Sequence, residues 1–139
     1  MRIVIQRVTR ASVSIEGRVE SAIDKGMMVL LGVGYADTDD DIDWLVKKTI
    51  NLRIFDDSEG VMNLSVKDVE GSILVVSQFT LMASCKKGNR PSYIHAASPD
   101  VSVPLYERFC QRLSESLGKP VSTGVFGADM QVELVNDGP

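Results

Sequence analysis

The segment Ile73–Leu81 places polar residues where a buried strand would be expected to continue. Four apolar residues open it, and Ser77, Gln78 and Thr80 then follow around a single phenylalanine. A hydroxyl or an amide that is buried without a hydrogen-bond partner costs roughly 1–3 kcal/mol. We therefore expect these side chains to meet polar partners, either backbone groups of the protein or the groups of a bound substrate.

A second polar run, Asn136–Pro139, has the sequence Asn-Asp-Gly-Pro. Such a run is ordinarily a turn, because Asn and Asp side chains bond to their own backbone and glycine accepts unusual dihedral angles. Taken alone, neither run distinguishes a functional site from satisfied structural residues.

Nucleophilic catalysis by a triad needs a serine, cysteine or threonine beside a base that a third group orients. The sequence contains one histidine, His95, and we interpret it as a surface or loop-packing residue rather than a base. Cys110 lies on the flank of a helical apolar stripe, so we predict a core position for it. The residues therefore do not favour triad chemistry.

Two further runs have the composition of ligand sites but not the spacing. Gly32–Gly34 joins a strand pattern to a helix pattern, yet Asp37 stands where a dinucleotide-binding loop would have its third glycine. Asp37–Asp43 is rich in aspartate but lacks the sixth-position glycine of a calcium loop. We interpret the glycines as a tight connection and the aspartates as favourable charge at a helix start.

The chain has 139 residues, a formal charge of -4 and a pI near 4.9. This acidic balance weighs against a protein that coats nucleic acid, so any RNA contact must be local. The densest basic stretch is Lys86–Arg90, for which a solvated loop is the simplest explanation. Cys85 and Cys110 are too few for a disulfide framework and have no metal-ligand spacing, so we expect reduced thiols, no metal and no cofactor.

No apolar run approaches the roughly 20 residues of a membrane span, and the N-terminus lacks the apolar region of a signal peptide. We therefore expect a cytoplasmic protein with no membrane contact.

Strand patterns recur along the chain. Arg2–Arg7 and Ser12–Ile15 alternate like an opening hairpin, and Met27–Gly34 is apolar on both faces, which is typical of a central strand. Ile73–Val76 and Met130–Val135 give two more strands.

Helical spacing follows Thr38, which can cap a helix, and begins again at about Ser102 with Pro104 in the first turn and Gly118 at the end. Alternating strands and helices predict an α/β fold. We expect one compact domain over residues 1–139, with a mixed, barrel-like β-sheet and two main amphipathic helices.

Together, the two polar runs resemble the signature segments of the D-aminoacyl-tRNA deacylase family. The family has an SQFTL segment and an NxGPVT segment, which stand here as Ser77–Leu81 and Asn136–Pro139. The likeness extends over essentially the whole chain through IQRVTRASV, NLRIF, MNLSV, RPS, PLYERF and FGADMQVELVNDGP. So many matches in order make the resemblance specific.

The resemblance implies a homodimeric enzyme that hydrolyses the ester joining a D-amino acid to the 3′ end of tRNA and rejects L-aminoacyl-tRNA. Glycine is achiral, so glycyl-tRNA mischarged on tRNA(Ala) would be a substrate too. The active site would lie at the dimer interface, where Gly138 and Pro139, joined by a cis peptide bond, enter from the partner subunit. Their carbonyls would approach the substrate's amino group and leave no room for an L side chain.

The family's catalytic segment corresponds here to Ser77, Gln78, Phe79 and Thr80. Backbone N–H groups near Phe79 and Thr80 would donate to the oxyanion that forms when water attacks the ester carbonyl. The terminal ribose 2′-hydroxyl of the tRNA would assist, so the protein would supply dipoles rather than a nucleophile. Thr80 is the rival nucleophile, but it has no evident activating base.

The resemblance also assigns binding residues. Gly138, Pro139 and Asn136 would take part in substrate binding and chiral selection, and Arg7 would brace the Gly-Pro loop. The alternative for Arg7 is an ordinary charge on a surface strand.

Phe126 and Met130 would bound a pocket for the terminal adenosine, because an adenine stacks well on an aromatic face. The alternative for both residues is core packing.

One departure from the family pattern bears on a rival function. The family pattern continues past Gly138-Pro139 with Val-Thr and a final strand, and we expect a motif that ended the polypeptide to be a frayed terminus with impaired chiral rejection. The rival is a non-catalytic, homodimeric RNA-end binding protein, which would bind aminoacyl-tRNA and release nothing.

Overall fold

The computed structural model describes residues 1–139 and contains eight strands, two α-helices and one short 3-10 helix. In chain order the elements are β1 (Arg2–Ile15), β2 (Arg18–Ile23), β3 (Gly26–Gly32), α1 (Asp39–Asn51), β4 (Phe55–Asp56), β5 (Met62–Leu64), β6 (Ser72–Ser77), the 3-10 helix (Phe79–Met82), α2 (Pro99–Leu117), β7 (Ser122–Thr123) and β8 (Gln131–Asn136).

The long strand β1 organises the main sheet. Its first half pairs antiparallel with β3, its second half pairs antiparallel with β2 on the same edge, and β8 pairs antiparallel along the opposite edge. The order then continues from β3 to β6 and β7, both in parallel. The Ser21 hydroxyl of β2 donates to the Thr123 carbonyl of β7 at 2.7 Å. The sheet is therefore mixed and nearly closed, which confirms the predicted α/β class and barrel-like sheet.

The central strand β3 separates two hydrophobic clusters. Met27, Val29 and Leu31 pack toward the helices, whereas Met28 packs with residues of β1, β2 and β6 on the other face. A strand in this position is buried on both faces, as its continuous apolar sequence predicts. The prediction of a central strand is confirmed, although the strand ends at Gly32.

The predicted start of α1 is confirmed, but that of α2 is wrong. The N–H of Thr38 donates to the Asp41 carboxylate at 2.7 Å, as in a capping box. α2 begins at Pro99, where a proline at the first helical position loses no hydrogen bond, and Pro104 therefore lies inside the helix. Gly118, with a φ of 84°, ends it as expected.

The aspartates around the start of α1 hold it against α2. Arg112 donates to Asp43 at 2.6 Å, and both Arg108 and Arg112 pair with Asp39. The hydrogen bond from Arg108 holds the pKa of Asp39 below its ordinary value. Neither helix combines the length and the apolar composition that a membrane-crossing helix needs.

Replacing Phe109 by alanine tests the packing of α2 on the sheet. The side chain of Phe109 is fully buried, so we expect Phe109→Ala to lower the free energy of unfolding by about 3–5 kcal/mol. Trp44→Ala removes a helical aromatic that is 61% exposed, and it should cost less than about 1 kcal/mol. Urea unfolding of both variants measures the difference, and equal losses would contradict this packing.

Candidate active site

The polar run at the end of β6 turns directly into the 3-10 helix. The Gln78 N–H donates to the Leu31 carbonyl at 2.8 Å, which extends the pairing of β6 with β3 by one residue. The first hydrogen bond of the 3-10 helix runs from the Leu81 N–H to the Gln78 carbonyl. The N–H groups of Phe79 and Thr80 come before Leu81, so they have no carbonyl partner within the 3-10 helix.

A pocket of about 270 Å³ opens where β6 ends. It brings together three residues of the predicted catalytic segment, Ser77, Gln78 and Phe79, with both residues of the predicted adenosine pocket, Phe126 and Met130. The remaining lining residues are Val76, Gly127, Ala128 and Val132. The walls are mainly apolar, and Ser77 and Gln78 supply their only polar side chains.

Thr80 does not line this pocket. Its hydroxyl accepts a hydrogen bond of 2.5 Å from the side-chain amide of Gln78. An amide does not take up a proton near neutral pH, so this contact fixes the hydroxyl without activating it.

The wall opposite β6 is held by Tyr106, which the sequence analysis did not single out. Its ring packs edge-on against Phe126 with centroids 5.7 Å apart. Its hydroxyl donates to the Val75 carbonyl at 3.0 Å, and the Gly124 N–H donates to the same carbonyl at 3.2 Å. A Cβ at Gly124 would collide with the sulfur of Met130. The tyrosine could have been found as the one polar aromatic on the apolar face of α2.

Phe79 forms the outer rim of the pocket. It is 55% exposed, and its ring packs edge-on against Tyr93 at 5.2 Å between centroids. Ser84 and Ser92 exchange two backbone hydrogen bonds of 2.9 Å, which close the base of the loop between them. Tyr93 follows this loop directly, and no spacing pattern in the sequence indicates its contact with Phe79.

Arg7 forms a second cluster, with the residues just beyond β8. The side chain is 6% exposed and donates to the carbonyls of Asp137 at 2.8 Å, Gly138 at 2.5 Å and Ile54 at 2.6 Å. It also pairs with Asp56 at 3.2 Å.

The backbone of Asp137 returns a hydrogen bond of 2.9 Å to the Arg7 carbonyl. The Gly138-Pro139 peptide bond is cis. These contacts exclude the alternative of a surface charge for Arg7, and they hold Asp137 and Gly138 against the body of the protein.

The two clusters lie at opposite ends of β8. Met130 and Val132 line the pocket, whereas Asn136 at the other end of the strand is exposed and pairs with Val8. Four residues of strand separate Val132 from Asn136, which corresponds to about 13 Å. Neither Gly138 nor Pro139 lines the pocket of its own chain.

The other candidate nucleophile and base lie outside the pocket. Burial raises the pKa of the Cys110 thiol to about 12, and the residue packs in the larger core cluster. His95 is exposed on the surface. The predicted core position of Cys110 is confirmed. Because the pocket walls contain no side-chain base, the pocket can act on a substrate only through its dipoles and its shape.

Comparison with known proteins gives a consistent result. A model of the family described as D-Tyr-tRNA(Tyr) deacylase matches residues 4–139. Proteins named D-aminoacyl-tRNA deacylase from Bacteroides fragilis (strain YCH46) and Flavobacterium johnsoniae are 66% and 59% identical over 139 residues, which are 100% of this chain and 93% of theirs.

Solved structures extend the comparison to the fold. The structure titled "c-Myc DNA Unwinding Element Binding Protein" has a TM-score of 0.95 and 42% identity, covering 100% of this chain and 94% of that one. A probable eukaryotic D-amino acid tRNA deacylase, at 20% identity and a TM-score of 0.83 over 99% of this chain and 94% of its own, shares the fold. Sequence matches along the full chain, and not the fold alone, identify it as a member of the D-Tyr-tRNA(Tyr) deacylase family.

Proposed function

We propose that this protein is a D-aminoacyl-tRNA deacylase, an enzyme that hydrolyses the ester of D-aminoacyl-tRNA to free D-amino acid and tRNA. The observation that carries the proposal is the 66% identity over the whole chain to proteins of that name. We place the activity in the cytoplasm, because the substrate is a tRNA.

The pocket at the end of β6 is the proposed reaction site. The ester carbonyl would lie against the N–H groups of Phe79 and Thr80, which precede the hydrogen-bond ladder of the 3-10 helix. Preorganised donors of this kind lower the energy of the oxyanion that forms when water attacks. The 2′-hydroxyl of the terminal ribose would assist the attack, which agrees with pocket walls that contain no side-chain base.

The terminal adenosine would occupy the side of the pocket between Phe126 and Met130. A volume of about 270 Å³ is just below the range of about 300–1,000 Å³ that is usual for small-molecule sites. A pocket of this size could take only the end of the tRNA, and the rest of the tRNA must lie outside.

Chiral selection would come from a second subunit. Since Gly138 and Pro139 do not line their own pocket, we propose that they enter the pocket of a partner in a homodimer. Arg7 would hold their carbonyls in place through its bonds to Asp137 and Gly138. A rigid wall of this kind excludes an L side chain and admits glycine, which has none.

The stereochemical assay tests the proposed function directly. We expect tRNA charged with D-tyrosine and glycyl-tRNA(Ala) to be hydrolysed and L-tyrosyl-tRNA to survive, as measured by release of labelled amino acid. Hydrolysis of both tyrosyl esters would contradict selection by the Gly-Pro wall. Tight binding of aminoacyl-tRNA with no release would instead support the rival function of an RNA-end binding protein.

Mixed dimers test the crossing of Gly138 and Pro139 between subunits. A Cβ at Gly138 would meet only the Asn136 amide at 3.7 Å, so Gly138→Val should fold normally and yet obstruct the pocket it enters. We expect this variant to lose about 100-fold in turnover. Phe126→Ala should lose roughly 10- to 100-fold in kcat/KM through the missing base stacking.

Heterodimers of these two variants then carry one intact site, formed by the Phe126 pocket of one chain and the Gly138 of the other. We expect mixing after subunit exchange to restore activity toward a quarter of the wild-type value. A mixture no more active than its two components would show that each chain completes its own site.

Replacement of Thr80 separates a positioning role from a nucleophilic one. Because its hydroxyl is held by an amide and lies off the pocket wall, we expect Thr80→Val to reduce kcat by less than about 100-fold and Thr80→Ser to recover most of it. Removal of a true nucleophile costs about 10⁶-fold. Single-turnover rates distinguish the two cases, and a loss of that size would restore Thr80 as nucleophile.

A further inference from the structure

The middle of the chain carries no negative charge. No aspartate or glutamate occurs from residue 71 to residue 99, although the chain has 19 of them in 139 residues and would place about four in a stretch of that length. Lys86, Lys87 and Arg90 fall inside this interval. An acidic protein thus contains one long segment whose only formal charges are positive.

These three cations are exposed and free of intramolecular partners. None of them takes part in a salt bridge or a side-chain hydrogen bond. Lys67 and Arg112 show the contrast, because they share a groove with Asp43 and Glu115 and each of them bonds to the protein. A solvated surface charge usually has opposite charges nearby, and the loop at residues 86–90 has none of its own.

The fold places this loop at the rim of the proposed reaction site. Its base is closed by the two hydrogen bonds between Ser84 and Ser92, and the next residue, Tyr93, packs against Phe79 of the pocket rim. Three or four residues of extended chain span about 10–13 Å, so the cations lie within roughly that distance of the loop base, before their own side chains add reach.

We infer that the loop Lys86–Arg90 binds the phosphates of the tRNA strand that leads into the pocket. The inference rests on the proposed function, and it concerns the part of the tRNA that the small pocket cannot hold. With the terminal adenosine in the pocket, the phosphates that precede it would leave past Phe79, the exposed residue of the rim that contacts Tyr93 beside the loop. Cations without partners bind phosphates without first breaking ion pairs of the protein, and in a chain with a net charge of -4 this loop is the segment that attracts RNA most.

The test compares two triple variants that remove the same charge. Lys86→Ala/Lys87→Ala/Arg90→Ala deletes the loop cations, and Lys47→Ala/Lys48→Ala/Lys67→Ala deletes three lysines around α1 that lie away from the pocket. For the loop variant we expect kcat/KM on D-tyrosyl-tRNA to fall by about 10- to 100-fold near 0.1 M salt, with kcat at saturation unchanged. The slope of log kcat/KM against log salt concentration should become shallower by about 2–3.

Binding of uncharged tRNA by fluorescence anisotropy separates this inference from the proposed function, because it does not require hydrolysis. We expect the loop variant to lose affinity and the α1 variant to match the wild type. The inference is overturned if the loop variant keeps the wild-type affinity and salt slope, if both variants lose affinity equally, or if the loss is confined to kcat. Failure of the wild type to hydrolyse D-tyrosyl-tRNA would overturn the proposed function and leave the binding comparison valid.

Discussion

The buried guanidinium of Arg7 is the contact on which the arrangement of the chain ends depends. A charge with 6% exposure is tolerable only when its donors are satisfied, and two segments supply the acceptors: Ile54 and Asp56 from the middle of the chain, and Asp137 with Gly138 from beyond β8. Loss of one of these acceptors would cost a hydrogen bond of a largely buried guanidinium. The position of the Gly-Pro run is therefore tied to the interior of the fold.

The parallel pairing of β3 with β6 has a comparable role for the pocket. Leu31 lies opposite Ser77, and the Gln78 N–H completes the ladder before the chain turns into the 3-10 helix. The polar residues therefore lie at the carboxyl end of β6, where backbone hydrogen bonds already hold the chain. The polar residues that interrupt the apolar strand thus line the pocket, and neither Ser77 nor Gln78 has a buried side-chain atom without a hydrogen-bond partner.

Much of this architecture follows from local sequence. Continuous apolar residues predicted β3, and Thr38 and Gly118 marked a helix start and a helix end, because caps and buried strands have strong local signals. The start of α2 was misplaced because proline favours the first turn of a helix, whereas Pro104 lies inside this one, where it can donate no hydrogen bond.

Long-range contacts were harder to predict from the sequence. Arg7 meets residues 130 positions away, and Tyr93 and Tyr106 support the pocket through packing that no spacing rule encodes. The family resemblance indicated that the two signature segments act together, which composition alone could not indicate. The fold in turn shows that those segments form separate clusters within one chain.

The Val75 carbonyl gives the pocket a common reference point. It lies in the strand that carries Ser77, and it accepts both the Tyr106 hydroxyl that supports Phe126 and the Gly124 N–H at the start of the segment that leads to Phe126. Both sides of the pocket are thus fixed to the same backbone atom. The width of the cleft is consequently set by hydrogen bonds to the centre of the sheet rather than by the surface loops at its rim.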